Sequence, residues 1–98
     1  MLKSQLKELL SPLIASREIP CFAYTYASFV NFNRYVTDNI GKVKLRYIDS
    51  PERILGIQYN LLLVETRAKE KIQYKALVSI ADIHKINIVE FDYDLLNR

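Results

Sequence analysis

The fold turns on Ile54-Leu55-Gly56-Ile57-Gln58-Tyr59-Asn60-Leu61-Leu62-Leu63-Val64-Glu65-Thr66, then Arg67-Ala68-Lys69-Glu70, then Lys71-Ile72-Gln73-Tyr74-Lys75-Ala76-Leu77-Val78-Ser79-Ile80. The first part is a long apolar strand, with Gly56 marking a bulge or bend. The polar quartet reads as a hairpin turn. The third part places Ile72, Tyr74, Ala76, Val78 and Ile80 on one face at period two, the spacing of a returning strand.

On the N-terminal side of this stretch, Lys42 to Ile48 alternates, with Val43, Leu45 and Tyr47 facing in. Asp49-Ser50-Pro51-Glu52 has turn composition. After a short connection at Ala81 to Lys85, Ile86 to Asp94 forms the last strand. Residues 42–94 therefore read as antiparallel strands. Upstream, residues 2–17 carry Leu2, Leu6, Leu9, Leu10, Leu13 and Ile14 at helical spacing, with Pro12 kinking the helix or starting a second short one. Residues 20–26 form a strand with Phe22, Tyr24 and Tyr26 on one face. Residues 28–40 suit a helix capped by Ser28 and stopped by Gly41, or another strand; the helix is favoured. The expected fold is α+β, a single domain over 1–98. Its N-terminal amphipathic helix packs on a mostly antiparallel β-meander of four to five strands, open or curled into a small barrel.

Composition sets the function classes. The 98 residues are 50% hydrophobic and 26% charged, with only two glycines and three prolines, a globular balance with little material for long loops. A net charge of +3 is mild for a dedicated duplex binder, so nucleic acid is permitted as a partner without being implied. The single cysteine, Cys21, excludes an internal disulfide and fits a reducing, cytoplasmic setting. No run reaches the roughly 18 apolar residues of a membrane span, and the first residues lack a signal-peptide pattern. No membrane partner and no cofactor are expected.

The strongest pattern is electrostatic. Lys42, Lys44 and Arg46 line one face of the first meander strand, and Glu90, Asp92 and Asp94 line one face of the last. Opposite charges across strands contribute roughly 0.2–1 kcal/mol per pair. The rows can meet inside one closed barrel, meet between subunits, or remain two solvated faces. As metal ligands, carboxylates two residues apart on a strand stand about 6.6 Å apart, too far for one ion.

Other constellations are incomplete. Leu61-Leu62-Leu63-Val64-Glu65-Thr66-Arg67, with Asp49 upstream, is similar to the core of PD-(D/E)xK nucleases. That resemblance implies Asp49 and Glu65 on a divalent ion, with Arg67 where those enzymes use lysine. Arg53 to Leu62 resembles the bent strand of Sm proteins, which implies a small barrel and no function. Cys21 and His84 are the lone nucleophile and base, with nothing to join them. Tyr24 and Tyr26 could stack on bases. No catalytic set is complete. The expected function is a non-catalytic binding or assembly module working by protein contact, through self-association or within a larger complex. The alternatives are nucleic-acid binding on Lys42, Lys44 and Arg46, then the nuclease.

Overall fold

The computed structural model describes residues 3–13, 18–54 and 61–96. Its centre is a four-stranded sheet in the order β2-β1-β3-β4, built from β1 (Ile19–Phe22), β2 (Leu45–Ile48), β3 (Leu61–Glu65) and β4 (Asn87–Phe91). Every pairing is parallel. The expected antiparallel meander is therefore incorrect, and the sheet is open, with β2 and β4 at opposite edges, rather than curled into a barrel.

The physical reason lies in β3. Leu61, Leu62, Leu63, Val64 and Glu65 are all buried. Leu61 and Leu63 enter one apolar cluster, and Leu62 and Val64 enter another. A strand covered on both faces reads as a continuous apolar run and belongs to a parallel sheet with helices on either side. Parallel neighbours need a crossover of helical length, which a tight hairpin cannot supply. The segment expected to return as a strand supplies it: Thr66–Glu70 is a 3-10 turn and Tyr74–Ile83 is helix α3. Leu77 and Ala81 of α3 are buried beside half-buried Tyr74 and Ile80, whereas Ile72 before it is 91% exposed. Of the long strand expected over 54–66, Pro51–Ile54 is a 3-10 turn and Leu61–Glu65 is β3. Gly56 and its expected bend lie outside the described residues.

One face of the sheet carries α1 (Lys3–Leu10), α2 (Tyr26–Asn39) and α4 (Tyr93–Leu96). Leu6, Leu10, Phe29, Phe32, Val36 and Leu96 meet Ile19, Cys21, Leu63 and Phe91 there. The Phe32 and Phe91 rings stack at 3.9 Å. The other face carries α3 and the Pro51–Ile54 turn, which pack on Phe22, Ile48, Leu62 and Val64. The ambiguous 28–40 segment is thus helical. It starts two residues earlier, at Tyr26, because Thr25 caps it, and it ends at Gly41, whose φ of 149° and N–H to the Val36 carbonyl close its last turn. No described helix is long and apolar enough to cross a membrane.

Candidate functional site: the switch point and the charged sheet edges

In the order β2-β1-β3-β4 the chain steps from β1 to one side and from β3 to the other. Open parallel sheets bind ligands beyond the carboxyl ends of the strands at such a reversal, here between β1 and β3. The residues gathered there are Ala23, Tyr24 and Thr25 after β1, Ser28 in the first turn of α2, and Glu65, Arg67 and Lys71 after or at the end of β3.

These groups mainly satisfy one another. Thr25 and Ser28 form a reciprocal capping box: the Thr25 hydroxyl accepts the Ser28 N–H at 3.1 Å, and the Ser28 hydroxyl accepts the Thr25 N–H at 3.0 Å. Buried Glu65 inserts its Oε1 beside this cap, accepting the Tyr24 N–H at 2.7 Å and lying 3.0 Å from the Ser28 hydroxyl. The single Ser28 proton can go there or to the Thr25 carbonyl at 2.9 Å. A helix N-terminus attracts an anion, and here the chain's own carboxylate takes that place. Lys71 donates to the Ala23 carbonyl at 3.3 Å and sits 4.9 Å from the Phe22 ring centre; the Arg67 guanidinium lies 4.6 Å from the Tyr24 ring centre. Two cations thus cover the end of β1.

Cys21 lies one residue inside this end and is fully buried. Burial pushes its thiol far up, and the Glu65 charge adds to the effect, so the thiolate needed for nucleophilic work is suppressed. His84 caps the far end of α3 and is exposed; the fold does not bring the two together. Asp49 follows β2, with Arg53 at 3.9 Å, and β1 stands between β2 and the Glu65 strand. Among the described residues no three His, Cys, Asp or Glu side chains group as a metal site.

The two charged rows end up on opposite edges. Arg46 lies on β2, paired in register with Pro20, while Lys42 and Lys44 precede the strand; all three are exposed. Arg46 approaches Glu18 at 3.8 Å, and Lys42 and Lys44 have no ion-pair partner among the described residues. An open groove lies at the start of β2, lined by Asn33 and Thr37 of α2, by Glu18 just before β1 and by residues 42–46. On the far edge only Glu90 is a strand residue, bonded to Lys69 at 2.7 Å. Asp92 accepts the N–H groups of Asp94 and Leu95, capping α4, and Asp94 is exposed in the helix. The rows cannot meet within one molecule.

Sequence reasoning missed the aromatic group at the start of α2. Exposed Tyr26 meets Tyr47 edge-on at 5.3 Å, and Phe29 lies 5.5 Å from Tyr47. It also missed the Glu65–Ser28 link. The Thr25-x-x-Ser28 spacing was the available signal for the cap, but the contact with Glu65 is set by strand order alone. No family model, no curated protein and no solved structure matches the chain.

Proposed function

We propose that the chain is a non-catalytic binding and assembly module acting through protein–protein contact at its sheet edges, in the reducing cytoplasm. The observation that carries this reading is the pair of open, oppositely charged edges: the stretch leading into and along β2 is basic, and β4 with its continuation is acidic. By strand alternation Arg46 and Glu90 project to the same face of the sheet, since their register neighbours are Pro20 and Val64, while Leu45, Tyr47 and Val89 pack on the α2 side. An unpaired edge is a template for another chain. The switch point, where this topology places small ligands, is occupied by Glu65, Lys71 and Arg67, which supports contact over catalysis. The buried thiol of Cys21 suits a reducing compartment.

The test is light scattering on a size-exclusion column at about 50 mM and about 500 mM NaCl, with absorbance at 260 and 280 nm. A complex, with itself or with a copurifying protein, that dissociates at high salt supports the reading. The variant Lys44→Glu with Arg46→Glu is expected to lose that complex. Copurifying nucleic acid with no protein partner sinks the reading and favours the alternative, in which Lys42, Lys44 and Arg46 hold phosphates. That alternative has one specific support, the exposure of Lys42 and Lys44 with no ion-pair partner among the described residues. Its signature is an affinity falling steeply with salt.

A further inference from the structure

Resting on the reading of the sheet edges as protein contacts, we infer that β2 takes an extended acidic segment of a different protein as an added strand, and not the chain's own β4 from a second copy. Three observations carry this. First, β2 pairs only with β1, so one side of its backbone has no strand beside it among the described residues. Second, the groove at the start of β2, which Glu18 also lines, combines chemistry from both faces of the sheet. Leu45 is half-buried and packs toward α2, with Asn33 and Thr37 beyond it, whereas Arg46 projects to the opposite face. A strand lying there would place alternate side chains against Leu45 and against the cations. The matching sequence alternates apolar or hydroxyl residues with Asp or Glu.

The third observation excludes the obvious internal candidate. Two carboxylates of the chain's own acidic row are already engaged, Glu90 by Lys69 at 2.7 Å and Asp92 by two backbone N–H groups of α4, and the third, Asp94, lies in α4 beyond the end of β4. Among the described residues Lys42 and Lys44 have no such partner. Moving Glu90 or Asp92 to a second copy's β2 would break a contact for each one made. A foreign acidic strand meets Lys42 and Lys44, which have no ion-pair partner among the described residues, without that loss.

The experiment titrates the full chain with an acetylated peptide of alternating valine and glutamate, about eight residues long. Its companions are the same peptide N-methylated at alternate amides, a valine–lysine version, and a thymine oligonucleotide. The acidic peptide is expected to bind, with amide shifts concentrated at Leu45 to Ile48 and an affinity that falls at least tenfold at high salt. N-methylation and the Lys44→Glu/Arg46→Glu variant should each weaken binding at least tenfold. Circular dichroism of the variant confirms that it is folded. Equal binding of the N-methylated peptide overturns strand addition. Salt-sensitive self-association without peptide binding overturns this inference but leaves the protein-contact reading intact. Oligonucleotide binding that exceeds peptide binding, in a monomeric chain, overturns both.

Discussion

Lys85 has a φ of 55°, the left-handed region that a side chain with a Cβ disfavours. It stands just beyond the His84 cap of α3, where the Ile86 N–H reaches the Ala81 carbonyl at 2.8 Å and the Lys85 N–H reaches the Asp82 carbonyl at 3.3 Å. That pair of bonds is the Schellman arrangement, which ordinarily recruits glycine at this position. Lys85→Gly is therefore expected to stabilise the fold by about 1 kcal/mol, raising the melting temperature by roughly 4–8 °C in a domain of this size. A fall in melting temperature would mean that the lysine side chain makes a contact outweighing the backbone cost. Cys21 gives a second prediction at this scale. Its thiol is raised by burial first and by Glu65 second, so the folded state keeps a proton that the unfolded chain releases above about pH 8.5. The folded state then binds more protons than the unfolded one, and stability must fall as pH rises, by up to about 1.4 kcal/mol per pH unit from this group. Urea midpoints between pH 8 and pH 10 should drop in the parent chain. Cys21→Ala should start lower but decline less; an identical decline in both would assign the slope to other groups.

At the scale of elements, α3 was the decisive misreading, and its cause is specific. Between Lys71 and Ile80 the apolar residues satisfy two periods: Ile72, Tyr74, Ala76, Val78 and Ile80 at two, and Tyr74, Leu77 and, just beyond, Ala81 at helical spacing. A window this short cannot decide between them, because strand preference mostly measures packing against neighbours not yet placed. The deciding signal stands one segment earlier, in the unbroken run Leu61 to Val64, whose lack of alternation marks a strand with no wet face. The leucines of α1 and the turn at Asp49 to Glu52 were legible because their local signals were unopposed, and in α2 the Ser28-to-Gly41 pattern favoured the helix over a competing strand. The charged residues were legible as charges but not as a site, since only strand order decides that the two rows stand on opposite edges. Two substitutions separate the readings. Leu77→Ala, which removes a fully buried side chain, is expected to cost 2–5 kcal/mol. Ile72→Ala, at 91% exposure, should stay within about 0.5 kcal/mol. In a β-hairpin the two results would be reversed, with Ile72 facing the core, so denaturant midpoints of this pair test the architecture directly.

At the scale of the whole molecule, stability and association draw on different residues. Two apolar clusters flank the sheet, while the three described ion pairs, Arg46–Glu18, Arg53–Asp49 and Lys69–Glu90, are 44–60% exposed. Exposed pairs contribute about 0–1 kcal/mol each and weaken with salt, so the fold itself should respond little to ionic strength. The edge charges have another consequence. A four-residue edge strand with a free backbone invites sheet-to-sheet pairing, and lysine or arginine along the edge discourages it because pairing would desolvate the charge. Replacing Lys44 and Arg46 together by threonine removes that guard without touching either apolar cluster. The variant is expected to keep its urea midpoint, with a change in stability below about 1 kcal/mol, the worth of one exposed ion pair. It should nevertheless form large species, seen as rising light scattering over hours at concentrations where the parent chain stays clear. Because the lost protection is local to β2, a proline at Tyr47, which cannot donate a ladder hydrogen bond, would be too disruptive a control. Reintroducing one lysine at position 46 is the better one, and it should restore clarity. A threonine variant that remains clear would show that the shortness of β2, and not its charge, keeps the edge from pairing.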